Sequence, residues 1–289
     1  MLERRSFLLA ATGAFVYSGT ALAAAAREAA QAANSESVAS PPARLDLSDP
    51  ADALTAMLRM QGRLDNKDSP WWYFGRIYGL LPGAAPVPLV RYEGLEIMRL
   101  TATADGEYAA TGVTTSFFMD WRTKVVLDTF ANPVSGRTNR VKPNMIGGTP
   151  GAAAAFYSPK GVRPGRMATA DWRPDGLKLS WDTYGDDIWL SNDRTYPPGL
   201  PQPMGESSVS RARRADLHDL EQPFVPASFS STYFAPWPAW MEMQGQPGHV
   251  VWHADGVKLE SVDRLPAHFR RWMDQRHPDR LAAPPYITP

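Results

Sequence analysis

The sequence contains no cysteine in its 289 residues. Disulfide bonds are therefore excluded, and so are metal sites built on thiolate ligands. Without such crosslinks the folded state depends on the packing of its hydrophobic core. The chain is therefore expected to be indifferent to the redox state of its compartment.

Positive charge is not in excess either, because 30 Lys and Arg residues stand against 30 Asp and Glu residues. Without the first 26 residues, which include Arg4, Arg5 and Glu3, 28 basic and 29 acidic side chains remain, a net charge near −1. Proteins that bind nucleic acid need cationic side chains to neutralise phosphates. Nucleic acid is therefore not predicted as a partner.

A hydrophobic run long enough to span a membrane is also missing. The apolar stretch 8–23 is interrupted by Gly, Ser and Thr, whereas a transmembrane helix needs ~20 strongly apolar residues. It follows the pair Arg4-Arg5 in an R-R-x-F-L pattern and ends on the small residues of Ala21-Leu22-Ala23. This order of regions is typical of an export signal. We therefore predict a twin-arginine signal peptide over residues 1–26.

The predicted signal peptide gives an expected location and one expected partner. The twin-arginine export machinery reads the arginine pair as an address, and cleavage is expected after Ala23 or Ala26. The protein is then expected to be periplasmic or secreted, with no stable membrane anchor after cleavage. An uncleaved N-terminal anchor is the alternative interpretation.

Established catalytic and metal-binding motifs are absent from the sequence. It has no G-x-S-x-G elbow and no H-E-x-x-H pair. His249 and His253 are four residues apart, but they flank a strand-like segment, in which four residues span ~13 Å. That distance is too long for both histidines to bind one zinc ion. We therefore predict no metal and no cofactor.

The remaining chain divides into a linker and a single domain. Residues 27–47 are rich in Ala, Ser and Pro and predict a flexible linker. A helix is predicted next, with Ser48 as its N-cap and Pro50 in its first turn. Residues 48–289 are predicted to form one β-rich domain, since ~250 residues are enough for one large domain.

Strand and turn patterns dominate this domain. Residues 177–184 alternate between apolar and polar side chains, which indicates a strand. Asp-Gly steps favour hairpin turns because glycine adopts positive φ without strain. Such turns are predicted at Asp105-Gly106, Asp175-Gly176 and Asp255-Gly256, and a fourth turn at 120–123.

Hairpins repeated in this way predict a mainly β fold, either an antiparallel, lipocalin-like barrel or a sandwich. A C-terminal helix is predicted to begin at Asp263 as its cap. Its apolar face would consist of Leu265, Phe269, Trp272 and Met273. The N-terminal and C-terminal helices are expected to brace the sheet.

His253 is the first candidate for a catalytic residue, as a general base that a carboxylate orients. The candidate carboxylates are Asp182, Glu242 and Asp255. Asp182 and Tyr184 belong to an acidic strand end, which can divide acid and base roles between its groups. The alternative for that segment is a solvated strand end with a turn at Gly185.

Glu93 is a further catalytic candidate. A carboxylate that faces an apolar cavity has a raised pKa and can act as an acid or base. Glu93 and Glu96 are three residues apart, so they are expected on opposite faces of one strand, unless a bulge intervenes at Gly94.

Aromatic residues are abundant, since the chain has 10 Trp, 10 Tyr and 11 Phe. It also has 27 Pro. Such residues line cavities for apolar or aromatic ligands, although they also serve as ordinary core. Prolines at 236 and 238 exclude a regular central strand between them and favour a bent, cavity-lining segment. The predicted ligand-binding residues are Trp71, Trp72, Tyr73, Trp181, Tyr233, Trp237 and Trp240.

Several short segments occur in the order found in one bacterial and fungal family. They are Trp71-Trp72-Tyr73-Phe74-Gly75, Ile77-Tyr78-Gly79, Tyr92-Glu93-Gly94-Leu95-Glu96-Ile97, Asp120-Trp121-Arg122-Thr123, Asn132-Pro133-Val134-Ser135-Gly136, 248–259 and Leu265-Pro266. Over residues 50–285 the chain resembles the family called domain of unknown function 1838. The resemblance implies a single domain and frequent export signals, and it implies no particular activity.

The chain departs from the pattern of that family at two places. Phe130 stands where Trp is expected, and Lys142-Pro143-Asn144 stands where an Asn-Asp-Pro step is expected. A departure that touches a ligand would change the specificity of this member.

These observations together predict a periplasmic protein that binds a hydrophobic or aromatic small molecule in a β-barrel cavity. One alternative is a cofactor-free lyase, isomerase or hydrolase with a His–carboxylate pair in that cavity. A second alternative is a structural exoprotein without a pocket.

Overall fold

The computed structural model describes residues 44–165, 179–195 and 205–287. The predicted signal peptide, most of the predicted linker and the predicted turn at Asp175-Gly176 lie outside the described residues. None of the helices in these three ranges combines the length and the apolar character needed to cross a membrane.

The described residues form three α-helices and thirteen strands. The helices are α1 (Pro50–Gln61), α2 (Arg214–His218) and α3 (Ala267–Arg276). The strands are β1 (Asp68–Leu80), β2 (Val87–Ala102), β3 (Tyr108–Met119), β4 (Thr129–Ala131), β5 (Thr138–Arg140), β6 (Asn144–Gly147), β7 (Ala155–Ser158), β8 (Gly161–Pro164), β9 (Ser180–Tyr184), β10 (Asp187–Thr195), β11 (Gly205–Arg213), β12 (Ala227–Ala235) and β13 (His249–Lys258).

Eleven of these strands form one antiparallel sheet. Its order is β8-β7-β3-β2-β1-β13-β12-β11-β10-β9, with β6 also paired to β3, and β4 and β5 form a separate pair. In the described ranges no pairing joins the two ends, β8 and β9, so the sheet is not closed into a barrel. The predicted mainly β, antiparallel fold is confirmed, and the sandwich is the nearer of its two predicted forms.

The sheet curls around α1. Five strands separate β3 from β10 in the sheet order, yet both strands contribute to the core that contains this helix. That core includes Leu54, Met57, Leu58 and Met60 of α1, Leu100 of β2, Ala110 of β3, Ile188 and Leu190 of β10 and Ala212 of β11. A flat sheet would hold these strands far apart, so the helix fills the concave side of a curved sheet.

The N-cap of α1 differs from the prediction. Asp49, not Ser48, caps the helix, because its Oδ1 accepts hydrogen bonds from the backbone N–H groups of Ala51 (2.9 Å) and Asp52 (3.1 Å). The Ser48 hydroxyl donates instead to Asp46 (2.6 Å). Pro50 is the first helical residue, as predicted.

Helix α3 packs on the convex side of the sheet. Its Phe269 and Met273 are fully buried against Leu95, Ile97 and Phe117 of β2 and β3. The helix begins at Ala267 and not at Asp263, since Asp263 belongs to a short 3-10 turn, Val262–Arg264, that Ser261 caps. The prediction of two bracing helices is confirmed, and the predicted cap of the second is wrong.

Two of the predicted turns are confirmed and one is wrong. Gly106, at a φ of 73°, lies in the loop between β2 and β3, and a turn closes after Asp120, whose backbone oxygen accepts from the Lys124 N–H (3.1 Å). Asp255-Gly256 lies inside β13, opposite Phe74 and Tyr73. Glycine is needed there because a side chain would overlap the ring of Phe229.

Candidate functional site

The strand register gives the central strands two chemically different faces. Cross-strand partners share a face and successive residues alternate between faces. Tyr73, Tyr92 and Phe118 belong to the concave side, called the inner face below, while Phe74, Glu93 and Phe117 belong to the side that α3 covers, the outer face. Each face bears a cavity.

The larger cavity, called the interior cavity, lies on the inner face and has a volume of about 570 Å³. Such a volume suits a small-molecule ligand. Its aromatic lining consists of Tyr73, Tyr92, Phe118, Tyr233, Trp240 and Trp252.

Two glycines make room for the tyrosine rings of this lining. Gly94 lies opposite Tyr73 in the register, and a Cβ added to Gly94 would overlap the Tyr73 ring. Gly75 lies opposite Tyr92, where an added Cβ would come within 2.6 Å of the ring. The rings can therefore lie across the neighbouring strand and form the floor of the cavity.

Polar groups are placed among these rings. The Tyr73 hydroxyl is hydrogen-bonded to the Ser116 hydroxyl (2.8 Å), and the Ser231 hydroxyl donates to Glu206 (3.0 Å). Glu96 and Lys142 also line the cavity. The interior cavity therefore contains two carboxylates and one ammonium group.

Burial disfavours the phenolate form of both tyrosines. Desolvation raises the pKa of the Tyr73 phenol, and the Glu96 carboxylate raises it further, although the bond to Ser116 acts in the opposite direction. Desolvation likewise raises the pKa of the Tyr92 phenol, with smaller contributions from Tyr73, Asp255 and Glu206. Both phenols are therefore hydrogen-bond donors at neutral pH and not phenolates.

The smaller cavity, called the outer groove, has a volume of about 330 Å³ and lies on the outer face beside α3. His268 of α3 is hydrogen-bonded through Nε2 to the Glu93 carboxylate (2.8 Å). The Nε2 atom of His253 lies 3.8 Å from Asp255, which is too long for a hydrogen bond. Arg76, Arg91 and Lys124 also line the groove.

The seven predicted ligand-binding residues fall in different places. Tyr73, Tyr233 and Trp240 line the interior cavity, and Trp72 lines the outer groove. The other three belong to the packing of the core: Trp71 donates to the Gln61 backbone oxygen (2.7 Å), Trp181 packs on the core of α1, and Trp237 is buried against Gly79.

The catalytic candidates are not brought together in one cavity. His253 and Glu93 both line the outer groove, whereas Asp182 and Tyr184 are exposed on β9 at the sheet edge. Gly185, at a φ of 59°, forms the turn after them, so these residues occupy a solvated strand end. Of the three carboxylates considered for His253, Asp255 is the one beside it.

Glu93 and Glu96 lie on opposite faces of β2, as their spacing predicts: Glu93 is in the outer groove and Glu96 lines the interior cavity. Sequence reasoning did not find Glu206, Ser116 or Tyr92 as lining residues. The alternation within 92–96 contains the signal for Tyr92, because it shares a face with Gly94 and Glu96. Glu206 and Ser116 come from strands whose pairing no local pattern reveals.

The departure from the family pattern at Lys142-Pro143-Asn144 coincides with the interior cavity, because all three residues line it. Phe130 is buried, and its ring lies 5.8 Å from that of Trp240. In the part of the chain that the structure describes, no group of three or more His, Asp or Glu side chains is arranged to hold a metal ion.

Comparison with known proteins finds a family to which the chain is similar. The model of the family described as "Protein of unknown function (DUF1838)" matches residues 66–144 and 192–288. No curated protein and no solved structure matches the chain at a significant level. Both cavities are built mainly from strands within the matched ranges.

Proposed function

This chain belongs to the DUF1838 family, and we propose that it binds a neutral or cationic aromatic small molecule in the interior cavity. The observation that carries the proposal is a cavity of about 570 Å³ with six aromatic side chains and a few polar groups in its lining. Ligand sites are concave and mostly apolar, with a small number of polar groups that orient the ligand.

The charges of the lining favour this class of ligand. Glu96 and Glu206 outnumber Lys142, so an anionic ligand would meet net repulsion inside the cavity. A hydroxyl or amine of the ligand can donate to the carboxylates, while the neutral phenol of Tyr92 can donate to a ligand oxygen. Aromatic faces such as that of Trp240 also attract cations.

Binding can be tested with a matched pair of fluorescent probes. N-phenyl-1-naphthylamine is a neutral aromatic amine, and 8-anilinonaphthalene-1-sulfonate is an anionic compound of similar shape. We expect saturable fluorescence enhancement with the neutral probe and, at the interior cavity, at least tenfold weaker binding of the anionic one, measured as displacement of the neutral probe. Equal affinity for both probes would contradict the charge argument.

A variant that narrows the cavity tests the location. Ala239 is exposed at the cavity lining, so Ala239→Trp should reduce the affinity for the neutral probe at least tenfold without loss of stability. Leu220→Trp is the control, because it adds the same indole at an exposed position outside both cavities. If both variants bind the probe like the wild type, the interior cavity is not the binding site.

We also propose that the protein acts after export. The support is the Arg4-Arg5 pair, the mild apolar stretch and the small residues that follow it. In the native host, Arg4→Lys with Arg5→Lys should retain the protein in the cytoplasm. The exported wild type should begin at Ala24 or Arg27, which intact-mass measurement can determine; an exported chain with Met1 would contradict cleavage.

The alternative of a His–carboxylate enzyme in the aromatic cavity has less support. No histidine lines the interior cavity among its described residues, and His253 and His268 both lie in the outer groove. The alternative of a pocketless exoprotein is disfavoured by the interior cavity itself.

A further inference from the structure

We propose that the outer groove is a second ligand site, which binds a small aromatic carboxylate between Arg76 and Arg91. This site lies on the opposite face of the sheet from the interior cavity and takes a ligand of opposite charge. It does not depend on the function proposed above.

A row of two arginines and a histidine crosses three neighbouring strands of the outer face. Arg76 of β1 is the direct cross-strand partner of Arg91 on β2 and of His253 on β13. Neighbouring strands are ~4.8 Å apart, and like charges directly opposite each other in an antiparallel pair are destabilising. An anion bound between the two guanidinium groups would remove this repulsion.

The nearby carboxylates leave both arginines available. In the three described ranges, no carboxylate oxygen lies within the ion-pair distance of 4.0 Å from Arg76 or Arg91. Glu93 is hydrogen-bonded to His268 (2.8 Å), and Asp255 lies on the far side of the row beside His253. The two acids are therefore directed to the histidines.

The β3–β4 turn holds Arg91 in place. The Arg91 Nε–H donates to the backbone oxygen of Trp121 (2.9 Å), and its guanidinium carbon lies 6.0 Å from the centre of the Trp121 ring. The Asp120 carboxylate fixes this turn by accepting from the Thr123 backbone N–H (2.7 Å) and from the Thr123 hydroxyl (2.9 Å). One edge of Arg91 is thus engaged, and its terminal nitrogens remain for a ligand.

The rest of the groove is suited to an aromatic ring. Trp72 and Phe74 form one wall, with ring centres 5.3 Å apart, and Phe74 is 46% exposed. A volume of about 330 Å³ lies at the lower end of the range for ligand sites. Lys124, from the same turn as Trp121, adds a third cation to the lining. A carboxylate fits the paired donors of a guanidinium, and a small ring attached to it would contact Phe74.

The test measures binding of 4-fluorobenzoate by fluorine NMR, with neutral 4-fluorobenzamide as the matched probe. We expect saturable binding of the benzoate, at least tenfold weaker binding of the amide, and displacement of the fluorinated probe by benzoate. Equal binding of the two fluorinated compounds would overturn the proposal, and so would displacement of the probe by inorganic phosphate at the same concentrations as by benzoate.

Variants locate the site. Arg76→Gln and Arg91→Gln should each weaken benzoate binding at least tenfold. Arg122→Gln is the control and should change binding less than twofold. It removes the same charge, but Arg122 is exposed next to Trp121 and lies outside the groove. An equal loss in all three variants would show only a diffuse electrostatic effect and would overturn the site.

A stability measurement separates binding from structure. Arg76 is exposed and repels Arg91, so Arg76→Gln should keep or raise the free energy of unfolding without ligand. Retained benzoate binding in a stable Arg76→Gln protein would overturn the proposal.

Discussion

Lys258 is a buried cation whose partners are backbone groups. Its ammonium group donates to the carbonyl oxygens of Arg59 (2.7 Å) and Gly62 (2.5 Å), at the C-terminal end of α1. Carbonyl groups at a helix C-terminus are without intrahelical partners and carry partial negative charge. Lys258 thus links β13 to the helix that the sheet encloses, at the cost of burying a charge.

This burial gives a stability that depends on pH. Desolvation, and then Arg63 and Arg59, lower the pKa of Lys258 to about 7 from 10.5. Between these values the unfolded chain binds a proton that the folded chain has lost, so the free energy of unfolding rises with pH, by at most about 1.4 kcal/mol per pH unit. Below pH 7 both states are protonated and this contribution is constant.

The comparison variant is Lys258→Met, which lacks the titrating group. Urea unfolding at pH 6, 6.5, 7.5 and 9 should show that the wild type gains stability relative to the variant between pH 7.5 and 9, but not between pH 6 and 6.5. A difference between the two proteins that stays the same from pH 6 to 9 would contradict a lowered pKa.

Gly94 offers a second test at the scale of one residue. Because a Cβ at this position would overlap the Tyr73 ring, Gly94→Ala should lower the free energy of unfolding by about 1–3 kcal/mol, the usual cost of overpacking. A double-mutant cycle with Tyr73→Ala tests whether overlap with the Tyr73 ring causes this loss of stability. Gly94→Ala should cost less in the Tyr73→Ala background, and fully additive costs would show that the ring is not responsible.

At the scale of elements, two adjacent residues at the N-terminus of α1, Ser48 and Asp49, are both suited to cap the helix, and variants can show which of them does. Asp49→Ala removes the acceptor for the N–H groups of Ala51 and Asp52 and should cost about 1 kcal/mol of stability. Ser48→Ala removes a bond to Asp46 on the surface and should cost less than half as much. Thermal or urea unfolding of both variants measures these losses of stability. A larger loss for Ser48→Ala would contradict Asp49 as the N-cap.

The same helix shows what the sequence predicts and where local pattern is insufficient. Ser48 and Asp49 are both good caps, and only the position of Asp46, which engages Ser48, selects between them. Asp255-Gly256 has the form of a hairpin turn, but it pairs with Phe74 and Tyr73. Glycine is required at this position because a side chain would overlap the ring of Phe229, which lies 27 positions earlier in the sequence. The rules that relate sequence to turns do not consider such a distant contact.

In the candidate sites, too, local sequence pattern predicts some features, while others depend on contacts between distant segments. Alternation along single strands predicted that Glu93 and Glu96 face opposite ways, and aromatic content predicted a lined cavity. The partners of these residues depend on the strand order, since Ser116, Glu206 and His268 reach them from other elements. Tertiary pairing of this kind has no signature within one segment of sequence.

At the scale of the molecule, one sheet separates two cavities of opposite charge. The interior cavity has two carboxylates against one ammonium group, whereas the outer groove has three permanent cations against two carboxylates. Side chains of opposite faces cannot share a ligand, because the hydrogen-bonded backbone of β1, β2 and β13 lies between them. Curvature of the sheet gives the inner face its depth, and α3 gives the outer face its wall.

Two separate sites should be occupied independently. N-phenyl-1-naphthylamine is neutral, so it exerts no net Coulomb force on a carboxylate across the sheet, and saturation with 4-fluorobenzoate should change its affinity less than twofold. Ala239→Trp should affect the naphthylamine alone and Arg76→Gln the benzoate alone.

Tyr92 tests this separation, since the residue lines both cavities while its side chain belongs to the inner face. Tyr92→Leu should therefore weaken binding of the naphthylamine at least threefold and leave benzoate binding unchanged, as should Tyr73→Phe for benzoate, because Tyr73 lines the interior cavity alone. Titration of each variant with each probe measures all four affinities. A tenfold effect of one ligand on the other in the wild type would require a conformational equilibrium that both ligands shift, and it would contradict a rigid sheet between independent sites.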